Sequence, residues 1–240
     1  MAVNYAPNNP IKLRPATPGD IDYPSSDGEQ MAETDYHVTL IAYVLAMLRT
    51  FFEGQEVYVG ANMLVYYEEG DPTQRVAPDT FIVFGASPHK RRSWFTWKEG
   101  KKPDVIFEFT PRGTQPEDRW TKKGLYAWLG VQEYFLFDPL DEYLKPRLQG
   151  FNWVDGDYQA IPLVEGKLKS EMLGLTIGSE ADMIKLWETK TGKELLPPNK
   201  ETTARRAAEV AWRTAEARAD AAEAEVTRLR AELERLKRKQ

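Results

Sequence analysis

The sequence predicts an α/β core extended by further strands and closed by a long C-terminal helix, and three observations carry that prediction. A helical apolar repeat is followed by three strand-like runs, a second helical segment and a fourth strand-like run. Beyond these, short apolar pieces alternate with turn residues. The last forty residues then change to an Ala-, Glu- and Arg-rich composition with heptad spacing.

Residues 1–30 are rich in Pro, Asn, Asp and Ser and lack apolar periodicity, which reads as an extended leader. Order is expected from about Met31. In AETDYHVTLIAYVLAMLRTFF, Val38, Ile41, Leu45 and Leu48 recur at helical spacing and would form the buried face, with Gly54 as a stop. EVYVGANMLVYY, DTFIVFG and KPDVIFEFT follow as strands, the first two separated by the turn-prone EEGDPTQR. A second helix should open near Thr114, where Thr114 and Glu117 have the spacing of a capping box and Pro116 suits a first turn, and should end at Gly130. EYFLFDP reads as a buried strand, and EYLKPRLQGF, GDYQAIPL and LGLTIG as shorter ones. The expected organisation is a leader over 1–30, a main domain over 31–195 and a helix over 201–240.

In that last segment Val226, Leu229, Leu233 and Leu236 are spaced three, four and three, and the frame runs back through Ala222, Ala219, Ala215 and Trp212. The same frame sets Arg218, Glu225 and Glu232 opposite Glu223, Arg230 and Lys237, a pattern that parallel pairing of two identical helices satisfies. A coiled-coil homodimer is therefore expected, against the simpler alternative of a single solvated helix.

Composition narrows the function. The 240 residues contain no Cys, which excludes a disulfide scaffold and a thiolate zinc site. Two histidines, His37 and His89, cannot build a His-rich zinc site. A metal here would be held mainly by carboxylate oxygens, so a hard cation such as Mg²⁺ (or Mn²⁺) is favoured. The longest nearly apolar run, 38–48, is well short of the roughly 20 residues that cross a bilayer, and the N-terminus has no apolar core behind a basic start. A cytoplasmic protein without a membrane segment is expected. The last forty residues hold ten basic against eight acidic side chains, so the net charge of -5 divides into +2 for the tail and -7 for the rest. That acidic balance counts against general polyanion binding.

Glu108 is the most informative position. Strand alternation puts Val105, Phe107 and Phe109 on one face and Ile106, Glu108 and Thr110 on the other, and a carboxylate in so apolar a run needs a partner. Asp104 is four residues away on the same strand, roughly 13 Å at about 3.3 Å per residue, too far to share a cation with Glu108. Asp79, after Pro78, opens the preceding strand and can sit beside Glu108 if the two strands are antiparallel neighbours. Lys122 and Tyr126 are four apart on the second helix and share a face, from which Lys122 could reach the acids; a surface pair with Asp118 is the plainer alternative. Two acids and a Lys on a sheet flanked by a helix suit metal-assisted phosphodiester hydrolysis. The loop between the second and third strands carries Lys90, Arg91, Arg92, Lys98, Lys101 and Lys102 among Trp94, Phe95 and Trp97, a composition suited to a phosphate backbone with aromatic contacts.

Pro78-Asp79, KPDVIFEFT and EDRWTKKGLYAWLGVQEYFLFDP together resemble the Uma-type branch of the PD-(D/E)XK restriction-endonuclease-like superfamily, over about residues 30–190. The resemblance implies a central mixed sheet flanked by helices and a metal-dependent DNA endonuclease. It makes Asp79 and Glu108 the metal-binding acids and Lys122 a catalytic lysine moved from the strand to the following helix. Tyr126, the Gly130-Val131 turn and Asp138 also match the family pattern. In the superfamily a lysine usually stands two residues after the strand acid, where this chain has Thr110, and the loop that follows is here Pro111-Arg112-Gly113-Thr114. The superfamily's first helix sometimes supplies another acid; Glu33 is the convenient one, whereas His37 reads as a packed or exposed helix residue. The rival readings are a catalytically inactive adaptor acting through its coiled coil, and a glycoside hydrolase using Asp79 and Glu108 as acid and base.

Overall fold

The computed structural model describes residues 21–25, 35–109 and 116–198, together with Trp212 and Glu216. Contacts divide the chain into Met1–Leu195 and Leu196–Gln240. The coiled-coil frame of 201–240, Glu33, Thr110 and the Thr114 cap lie outside the described residues, apart from Trp212 and Glu216, which are helical.

Three helices and twelve strands lie among the described residues between 35 and 188: α1 (Asp35–Phe51), β1 (Val57–Ala61), β2 (Val65–Tyr66), β3 (Arg75–Val76), β4 (Thr80–Phe84), β5 (Trp94–Phe95), α2 (Thr96–Glu99), β6 (Val105–Phe109), α3 (Pro116–Leu129), β7 (Glu133–Phe137), β8 (Leu148–Val154), β9 (Asp157–Ala160), β10 (Leu168–Ser170), β11 (Leu175–Glu180) and β12 (Met183–Glu188). The central sheet has the order β1-β4-β6-β7-β8-β9. Only β6 and β7 run parallel in it, joined by α3; the other neighbours are antiparallel. Two three-stranded sheets, β3-β2-β5 and β10-β11-β12, complete the layers.

The period-two pattern of β6 sorts the core as the sequence predicts. Val105, Phe107 and Phe109 join a cluster with α1 and with the β10–β12 sheet. Ile106 faces a second cluster that holds Tyr126 of α3, Trp94, Phe81 and Tyr134. Both faces of the central sheet are thus covered, which is why β6 and β7 are buried along their whole length.

The expected face of α1 is corrected. His37, Leu40, Ile41, Val44, Met47 and Leu48 are buried, while Val38 is 50% exposed and Leu45 only partly covered. The apolar residues run almost all round the middle of this helix, so spacing alone left two faces open, and packing chose the one that also carries His37. EVYVGANMLVYY is two strands, because Asn62 takes a left-handed φ of 44° and redirects the chain from the central sheet into β2. Among the later pieces, EYLKPRLQGF forms strand only from Leu148, and β10 and β12 were not anticipated.

Helix α3 begins at Pro116 and stops at Gly130, whose φ of 68° closes the helix while Val131 N donates to Tyr126 O at 2.9 Å. Residues 21–25 of the expected leader are docked: the Tyr23 ring lies 5.1 Å from Tyr66, 5.4 Å from Phe95 and 5.5 Å from Trp97. No helix among the described residues is long and apolar enough to cross a membrane.

Candidate active site

The antiparallel ladder between β4 and β6 pairs Thr80 with Phe107, so one step further Asp79 stands opposite Glu108. Strand pairing stops there, and the Asp79 carboxylate takes over as acceptor: Phe109 N donates to Oδ2 at 2.6 Å. His37 Nε2, on the first turns of α1, lies 3.0 Å from the same oxygen. Oδ1 has no hydrogen bond among the described residues.

Glu108 is 7% exposed and projects to the α3 side of the sheet. Lys122 and Tyr126, one helical turn apart, both reach it, with Lys122 Nζ 3.0 Å from Oε2 and the Tyr126 hydroxyl donating to Oε1 at 2.6 Å. Burial and the neighbouring Asp79 charge push the Glu108 carboxyl up to about 7, against the opposing pull of Lys122 and Tyr126. Tyr126 is fully buried, and burial first, then Glu108, holds its hydroxyl well above the ordinary range.

Asp79, Glu108, Lys122 and Tyr126 are therefore brought together. His37 of α1 joins them; Glu33, the acid expected near the start of the first helix, lies outside the described residues. The available signal was a polar residue at the head of the stripe 37, 40, 41, 44, but a lone His on an apolar face is no pointer by itself. Asp104 is at the far end of β6, where its Oδ2 accepts from Phe84 N at 2.7 Å and burial raises its carboxyl. Asp138 is fully buried and accepts from the backbone amides of Leu140, Tyr143 and Leu144, which makes it the organiser of the turn after β7.

The basic loop is not a uniform comb of free cations. It joins the end of β4 remote from Asp79 to the start of β6. Arg91 forms a two-pronged pair with Glu99 at 2.7 and 2.9 Å and lies over the rings of Tyr58 and Trp94 at 4.6 and 4.7 Å, which gives it a scaffold role. Lys98 sits over Phe95 at 4.5 Å, and Arg92 donates to Ser25. Lys90, Arg92, Lys98, Lys101 and Lys102 are exposed.

A divalent cation fits the donor set at the acid pair. Two hard carboxylates are adjacent, one oxygen of Asp79 accepts no hydrogen bond among the described residues, and Mg²⁺ commonly binds through one or two carboxylates while keeping water or phosphate oxygens. No group of three or more His, Asp or Glu side chains placed to hold a metal occurs among the described residues.

The chain is thus a mixed α/β protein in which two acids meet across neighbouring strands of the central sheet and the crossover helix supplies a lysine beside them. The chain belongs to the Uma2 family, described as "Putative restriction endonuclease", which matches residues 13–183. Among solved structures it is similar to a "putative nuclease belonging to DUF820" from Anabaena variabilis, at 10% identity and a TM-score of 0.43, over 59% of this chain and 75% of that one. No curated protein matches.

Proposed function

We propose that the protein is a metal-dependent endonuclease that hydrolyses phosphodiester bonds of DNA, with Asp79 and Glu108 holding Mg²⁺ or Mn²⁺ and Lys122 acting beside them. The observation that carries this reading is the meeting of Asp79 and Glu108 across β4 and β6 with Lys122 Nζ 3.0 Å from Glu108. Family membership supports it. A bound divalent cation would supply Lewis-acid activation of water and neutralise phosphate charge. The chain's own residues do the rest. Tyr126 and Phe109 N fix the two carboxylates by one oxygen each, so the site is preorganised rather than assembled on binding. Lys122 is held by Glu108 as an ammonium donor at the same sheet end, where it can meet a phosphate oxygen or orient a water.

The exposed Lys90, Arg92, Lys98, Lys101 and Lys102 would contact the DNA backbone. Pairing of two copies through residues 201–240 would set two sites against two strands; the heptad frame is its support.

The test is nicking of supercoiled DNA by the full chain with Mg²⁺ or Mn²⁺. Metal-dependent nicking abolished by Asp79→Ala and by Glu108→Ala supports the proposal. Nicking that survives both substitutions, or no nicking with either metal, overturns it.

A further inference from the structure

We propose that His37 is a positioning residue for Asp79: it pins one oxygen of that carboxylate and so leaves the other to the divalent cation. The inference rests on the metal site proposed above and adds a residue from a different element, α1, to it. Two donors converge on Asp79 Oδ2, His37 Nε2 at 3.0 Å from the helix and Phe109 N at 2.6 Å from the neighbouring strand. A single donor would let the carboxylate rotate about its last torsion; two donors from separately packed elements do not. Both are held firmly, since Leu40, Ile41 and Val44 bury α1 and β6 is buried throughout.

Two other roles for His37 suit the structure less well. A ring nitrogen that donates a proton to Oδ2 has no lone pair to give a metal, so Nε2 is not itself a ligand in this arrangement. Packing alone is also a poor account, because an apolar residue would fill that position on the stripe without the cost of burying an imidazole. What His offers is a donor long enough to reach Asp79, 42 residues away in sequence. Partners that hold liganding carboxylates or imidazoles commonly change metal affinity by about 10–100-fold when removed.

The experiment is calorimetric titration of Mn²⁺ into the full chain, without nucleic acid, for the wild type, Asp79→Ala/Glu108→Ala, His37→Gln and His37→Asn. The Gln amide nitrogen reaches about as far as Nε2, and the Asn nitrogen does not. Expected is loss of binding in the double variant, weakening by roughly 10–100-fold in His37→Asn, and near-wild-type affinity in His37→Gln. Wild-type affinity in His37→Asn, or equal losses in both His37 variants accompanied by equal falls in thermal midpoint, would overturn the positioning role while leaving the metal site standing. Absence of Mn²⁺ binding in the wild type would overturn both readings. A second measurement needs no variant: the chain has only two histidines, so ring ¹⁵N resonances can be followed during Mg²⁺ addition. The signals of His37 should move and those of the exposed His89 should not; an unmoved His37 counts against the proposal.

Discussion

The Tyr126 hydroxyl donates to Glu108 Oε1 at 2.6 Å from one turn beyond Lys122, so a single helix face supplies both partners of the buried acid. Tyr126→Phe removes a buried hydrogen bond to a group that ionises near neutrality. The expected cost is about 1.5–3 kcal/mol when Glu108 is charged and less when it is protonated, measured by urea unfolding of metal-free protein on either side of neutrality.

Glu108 itself predicts a pH dependence. Its carboxyl is pushed up to about 7 from 4.5, so the folded chain holds this proton more tightly than the unfolded one. The associated stability is complete below the unfolded value and is lost as pH rises through the folded one; the span corresponds to about 3 kcal/mol. Glu108→Gln removes that dependence. In the presence of chelator, the variant should gain on the wild type between about pH 5 and about pH 8. A constant difference across that window would show that Glu108 does not titrate there.

Lys122→Met should separate stability from activity. The ammonium is a quarter exposed and the Glu108 side chain about one tenth, so losing the pair should cost about 1–2 kcal/mol near pH 8, below the range for fully buried pairs. Nicking, by contrast, should fall by at least about 100-fold if the lysine meets the developing phosphate charge. An activity loss no larger than the loss of folded protein would contradict that role.

Arg91 and the lysines of the same loop should behave differently. Arg91→Ala breaks the two-pronged contact with Glu99 and two ring contacts, and is expected to cost about 2 kcal/mol with little change in the salt dependence of DNA binding. Lys101→Ala/Lys102→Ala should leave stability almost unchanged and lower the slope of log affinity against log salt by about 2, at roughly 0.9 per phosphate contact.

Asp138→Ala tests a match to the family pattern that the structure explains by folding. Three backbone amides lose their acceptor, a fully buried carboxylate beneath a turn whose outer residues Leu140 and Tyr143 are exposed, so a loss of about 2–4 kcal/mol is expected. Mn²⁺ affinity of the remaining folded protein should be unchanged.

Local pattern was enough to name β6 and its two faces, because alternation over Val105–Phe109 is a property of the extended chain itself. It was enough for the ends of α3 as well, where Pro116 and Gly130 act through their own backbone preferences. Chemistry of residue types singled out Glu108 and made Asp79 and Lys122 candidate partners, since an acid in an apolar run demands partners whatever the fold, and the family resemblance added Tyr126. What could not be read in advance was everything that depends on which elements meet. The antiparallel register that sets Asp79 opposite Glu108 appeared only as a condition, and the face of α1 that turns inward was misjudged because Val38 and Val44 are equally apolar. Arg91 looked like its basic neighbours until Tyr58, Trp94 and Glu99 were found around it. His37 became part of the site for the same reason: a hydrogen bond across 42 residues is written by the packing of α1 on the sheet, and no spacing rule within one segment contains it.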